Sequence, residues 1–116
     1  MKNVLVIGAL VLFANEAYAG FYEGKSLVEG LSAYEKIENG KGGPMDYMLA
    51  SQAIGYVNGI VDRAELEGKM CTPNNSTQKQ YMAIVHKYVK ANPELWTMPA
   101  LPLVDIPLTQ AFPCKK

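Results

Sequence analysis

PMDYMLASQAIGYVNGIVDRAELEG, residues 44–68, begins with a proline and ends with a glycine. Between them, Leu49, Ala53, Val57, Ile60, Val61 and Ala64 fall on one arc at helical spacing. A proline in the first helical turn loses no hydrogen bond, because the N–H groups there have no intrahelical acceptor. Gly68 is a suitable terminator, since the residue after a last turn often needs a left-handed backbone. The stretch predicts a helix over 44–67.

Two glycines interrupt it. Each mid-helix glycine costs about 1 kcal/mol relative to alanine. Gly55 and Gly59 are four apart, so they stack on one face, opposite the Val57 arc and beside Met48, Gln52 and Asp62. Such a pair suggests close backbone approach. Either another segment of the same chain packs there, or a second subunit or partner does. Gly55, Gly59 and Asp62 are therefore a candidate packing or dimer face. Asp62 and Arg63 serve either as its polar rim or as solvated charges.

Working outward, residues 39–43 (NGKGG) are too glycine-rich for a regular element. Before them, 21–37 carries Leu27, Leu31 and Tyr34 at helical spacing and predicts a helix, with Gly30 weakening the pattern. After Gly68, a loop over 69–75 contains Cys71-Thr72-Pro73. A third helix starts near Ser76 or Thr77, either of which can cap it. Its stripe is Tyr81, Val85, Tyr88 and Val89, and it ends at Asn92 because Pro93 follows. In the tail, Leu101, Leu103, Val104, Ile106, Leu108, Ala111 and Phe112 read as core, punctuated by Pro99, Pro102, Pro107 and Pro113. A helix running through Pro107 would lose about 3 kcal/mol. One or two short helical turns, restarting at Pro107, are expected instead.

The extreme N-terminus reads differently. Lys2 precedes an apolar run over 4–14, and Ala17-Tyr18-Ala19 follows. That order marks a secretory signal peptide over 1–19. The run is shorter than the roughly 20 residues a spanning helix needs. The remaining 20–116 is one domain. The formal net charge is zero, and removing Lys2 and Glu16 with the leader leaves it unchanged. A balanced charge argues against nucleic acid and against a polybasic membrane mode.

An exported chain meets oxidising conditions, so its two cysteines, Cys71 and Cys114, read as a disulfide. Closing that loop is worth about 4 kcal/mol in the chain-entropy model. The fold class is all-α: a small four-helix domain with one disulfide behind a cleaved signal peptide.

Little points to chemistry. His86 is the single histidine, beside the apolar stripe of its helix. No cluster of His, Cys or carboxylates has metal-ligand spacing. A Cys71–His86 nucleophilic pair needs a free thiolate, which an exported two-cysteine chain does not keep. Glu35 with Glu38, and Glu65 with Glu67, read as solvated helix surface. No phosphate loop or dinucleotide fingerprint is present. No catalytic residue, metal or cofactor is expected. Among the aromatics, Tyr81 and Tyr88 read as core filling, with Tyr47 and Tyr56 as further recognition candidates. Trp96, between Pro93 and Pro99, is either an interface anchor or a lid on the core.

Gly55-Tyr56-Val57-Asn58-Gly59-Ile60-Val61-Asp62, Cys71-Thr72-Pro73, Gln80-Tyr81, Tyr88, Asn92-Pro93-Glu94 and Ala111-Phe112-Pro113-Cys114 occur in that order. The ordered set resembles the Rap/Tai immunity proteins of type VI secretion systems, over roughly 47–114. The resemblance implies a periplasmic, all-helical and often dimeric protein that binds a secreted peptidoglycan amidase and occludes its Cys–His cleft. Occlusion needs a rigid protrusion rather than a catalytic residue. The loops over 69–77 and 92–98 are the candidates, with Thr72, Asn74, Asn75 and Trp96 as partner-binding residues. Where family members commonly carry further cysteines, this chain has Leu31 and Ile54. Their last helix usually runs without interruption, whereas this one contains Pro102 and Pro107. The alternative from another class is a small periplasmic chaperone of the acid-stress type, which exposes apolar surface as its carboxylates protonate.

Overall fold

The computed structural model describes residues 21–115. The signal peptide expected over 1–19 lies outside the described residues. Four helices follow one another: α1 (Gly24–Glu38), α2 (Pro44–Leu66), α3 (Gln78–Ala91) and α4 (Ala100–Ala111). A short 3-10 turn, Pro93–Leu95, links the last two. No strand occurs among the described residues, and none of their helices is long and apolar enough to cross a membrane.

The expected punctuation operates. Pro44 opens α2, and the Gly43 N–H donates to Asp46 Oδ2 at 2.9 Å. Gly68 ends it with φ +70°, a conformation that side chains rarely adopt. Thr77 caps α3: its hydroxyl accepts the Gln80 N–H at 3.2 Å, while Gln80 Oε1 accepts the Thr77 N–H at 2.7 Å. Ala53, Val57, Val61 and Ala64 of α2 meet Leu27 and Leu31 of α1, Met82, Val85 and Val89 of α3, and Leu103, Val104 and Leu108 of α4 in one core.

Three expectations are corrected. Residues 21–23 are not helical. Glu23 pairs with Pro99, the Gly24 N–H donates to Met98 O at 2.8 Å and the Ala100 N–H donates to Tyr22 O at 3.0 Å, so the chain start is clasped by the approach to α4.

The tail is one continuous helix, with Pro107 inside it. Pro102 falls in its first turn, where no bond is lost. Pro107 forfeits the bond to the Leu103 carbonyl, at about 3 kcal/mol. Leu103, Val104, Pro107 and Leu108 share one buried face of α4, and each large apolar side chain buried there returns about 1.5–3 kcal/mol. Burial wins. The same periodicity leaves Leu101 53% and Ile106 38% exposed, and Ala111 is exposed too, so these three are not core.

Within the chain, the glycines that permit close approach are not Gly55 and Gly59, so the same-chain alternative falls there. A Cβ at either would meet nothing within 4 Å among the described residues. At Gly30 it would lie 2.6 Å from Ala53 Cβ, and at Gly24 2.6 Å from the Trp96 carbonyl oxygen. Gly30 lets α1 and α2 touch, and Gly24 lets the Trp96–Pro99 segment cross the start of α1.

Candidate functional site

Cys71 and Cys114 are bonded, across a sequence separation of 43. The bond fastens the loop after α2 to the end of the chain. The Cys71 N–H donates to Phe112 O at 3.0 Å, and Phe112 meets Tyr81 edge-on with ring centroids 5.8 Å apart. The loop over 71–76 turns back on itself through the Ser76 N–H, which donates to Pro73 O at 3.0 Å. The Thr72 hydroxyl donates to the Glu65 carboxylate of α2.

Between this loop and α2 lies an open groove of about 490 Å³, bordered by Asn58, Asp62, Glu65, Thr72, Asn74 and Tyr81. Asn58 Nδ2 donates to Gln78 Oε1 at 3.1 Å, closing one end between α2 and α3. The lining is rich in hydrogen-bonding groups and holds two carboxylates with no cation. It suits a partner's N–H or O–H donors or a positive charge.

The groove gathers three of the residues singled out in the sequence: Thr72, Asn74 and Asp62. Asn75 is exposed at the loop tip but does not line it. Trp96 is elsewhere. It is half-buried, and its indole N–H donates to Val89 O at 2.7 Å, at the far end of α3 from Thr77. At 1.5 Å per residue those two ends lie about 20 Å apart, so Trp96 and the loop are separate features. Asn58, part of the family motif, and Glu65, read as solvated helix surface, were not predicted as contact residues. Only their helical offsets from Asp62, four before and three after, would have placed them on its side of α2.

A second region lies on the bare face of α2. Met48, Gln52, Gly55, Gly59 and Asp62 are all exposed there, and nothing among the described residues covers the glycines. Beside it, Lys69 and Arg63 bond to Glu67. Those bonds, Lys69 first, hold the Glu67 carboxyl down at about 2.

His86 sits between α1 and α3 with its side chain 15% exposed. Glu35 Oε2 is 3.8 Å from His86 Nδ1 and 3.8 Å from Lys90 Nζ. Burial, then Lys90, pushes the imidazole below its ordinary value against the pull of Glu35. The sulfur that a Cys71–His86 pair would need is consumed in the disulfide, and no described cysteine is free. The paired carboxylates are each occupied: Glu35 as above, Glu38 by Lys79 at 2.8 Å, Glu65 by Thr72 and Glu67 by Lys69 and Arg63. No three His, Cys, Asp or Glu side chains among the described residues gather in a way that could hold a metal.

Four helices, one disulfide between an interhelical loop and the tail, and a polar groove under that loop make this a small disulfide-tied helical domain. A family model described as Rap1a immunity proteins matches residues 23–114, from the N-cap of α1 to the second cysteine. The chain belongs to the Rap1a immunity protein family, consistent with the resemblance noted in its motifs. No curated protein and no solved structure matches it.

Proposed function

We propose that this protein is a periplasmic immunity protein of a type VI secretion system, which binds a peptidoglycan amidase effector and blocks its cleft. The observation that carries the reading is the groove at 71–76, where Thr72 and Asn74 on a covalently anchored loop face Asp62 and Glu65 on α2. Family membership supplies the immunity role. A loop held from both sides loses little conformational freedom on binding, which is what an occluding element needs. Asn75 at the loop tip belongs to the same contact surface. Trp96 marks a second, separate contact. The bare α2 face with Gly55, Gly59 and Asp62 is assigned to a second copy of the chain, because the two glycines leave the helix backbone between Met48, Gln52 and Asp62 open to close approach.

The test is growth of cells that export a papain-like peptidoglycan amidase encoded beside this chain. Coexpression should restore growth, and Thr72→Arg with Asn74→Arg should abolish the rescue while leaving the helical signal intact. Lysis regardless of coexpression would refute the assignment. Suppressed aggregation of unrelated proteins at low pH, without rescue, would establish the chaperone instead.

A further inference from the structure

The face of α2 turned away from the core carries a pattern that is matched in both directions. Met48, Gln52, Gly55, Gly59, Asp62 and Leu66 follow one another at spacings of four, three, four, three and four, which puts them in one line along the helix. All six are exposed, Leu66 at 85% and Met48 at 51%. Counted outward from Val57, Gly55 and Gly59 stand two residues away, Gln52 and Asp62 five, and Met48 and Leu66 nine. Each pair is chemically matched. The outer positions are both apolar, the middle ones are an amide donor and a carboxylate, and the inner ones have no side chain. Bare glycines alone name no occupant. A line of residues whose complement is itself does name one, because self-complementarity is what a two-fold contact requires.

We propose that two copies of this chain pack α2 against α2 in antiparallel register, about a two-fold axis at the level of Val57. This rests on the assignment of the face to a second copy, and adds which residues meet. Met48 of each copy covers Leu66 of the other, which takes from water apolar side chains that the single chain leaves exposed. The glycines meet at the centre, where the absence of side chains lets the two axes approach to about 8 Å, the near end of the usual range. The Gln52 amide of each copy donates to the Asp62 carboxylate of the other, a charge-assisted hydrogen bond. A parallel arrangement loses this match, since it sets Asp62 against Asp62 and repels. Asp62 also borders the groove under the 71–76 loop. Gln52 of the second copy therefore stands at the rim of that groove, and each groove is completed by a residue from the other copy.

Sedimentation equilibrium of the purified protein tests the contact. It should report a dimer, and Gly55→Leu with Gly59→Leu should weaken association at least about a hundredfold. Helical circular dichroism should persist in that variant, since both positions face open space within the chain. Gln52→Glu sets two carboxylates together and should weaken association about tenfold. Adding Asp62→Gln should restore it, because amide and carboxylate have then only changed places; a parallel pair would still oppose like charges and show no recovery. Met48→Cys and Leu66→Cys proteins, mixed and treated with a short bismaleimide, should become linked to each other. Neither variant alone should link to itself, because like positions at the two ends of the seam lie about 27 Å apart. A monomer, or a dimer indifferent to the glycine substitutions, would remove the second copy from this face and the register with it. A dimer that the glycine substitutions weaken, with Met48→Cys linked to itself and no recovery in the double variant, would keep the second copy and overturn the antiparallel register.

Discussion

Position decides what a glycine contributes. At Gly55 an added methyl meets open space within the chain, so Gly55→Ala should raise the stability of the monomer by up to about 1 kcal/mol, the helix-propensity difference, while weakening the proposed contact between two copies. At Gly24 the same methyl would lie 2.6 Å from the Trp96 carbonyl oxygen and 2.8 Å from Leu103 Cδ1. Gly24→Ala should therefore cost about 1–3 kcal/mol, as other overpacked sites do. Urea denaturation of both variants checks the pair, and equal signs would contradict the packing described. His86 is the second residue whose surroundings set its behaviour. Its folded value lies below its ordinary 6.5. The unfolded chain binds that proton first as pH falls, so stability is full above 6.5 and declines as pH drops toward the folded value. His86→Phe should flatten this part of the melting profile. An NMR titration of the His86 ring should give a midpoint below 6.5; one above it would mean that Glu35 outweighs burial and Lys90.

Among the elements, α3 depends most visibly on a cap. Thr77 and Gln80 satisfy each other's backbone N–H groups reciprocally. Thr77→Ala should cost about 1 kcal/mol and speed amide exchange at Gln80, while Thr77→Ser should preserve most of the stability. A neutral Thr77→Ala would mean that packing of Met82 and Val85 alone sets where α3 begins. In α4 the balance tips the other way. Local backbone preference argues for a break at Pro107, and burial of the Leu103–Leu108 face overrides it. Helix propensity is a weak prior wherever several large side chains can be buried together.

Over the whole molecule, the core and the groove meet at Met70. Its side chain is buried with Ala64 and Leu108, and the next residue is the bonded Cys71. Met70→Ala should lower global stability by about 2–5 kcal/mol, as core truncations do, and should raise proteolytic cutting at Lys69 in the native state. Stability loss without increased cutting would show that the disulfide alone holds the loop root. The bare face of α2 and the polar groove share Asp62, so a partner on one face borders the other. Binding studies should treat substitutions at Asp62 as touching both.

The amino-acid sequence by itself determined where α2 begins and ends, because Pro44 and Gly68 act through their own backbone geometry. It also narrowed the N-terminal cap of α3 to Ser76 or Thr77, of which the structure uses Thr77, and it determined the pairing of the two cysteines, since only one intramolecular partner existed. These are local matters, settled within a turn or by elimination. Which glycines lie against another helix, and whether the proline-bearing tail is helical, were decided only by tertiary structure. The same holds for the grouping of Asn58, Asp62 and Glu65 with Thr72 and Asn74. Helical spacing states which residues share a face, but not what that face meets. A cost of a few kcal/mol at one residue is decided by contacts that a distant segment brings.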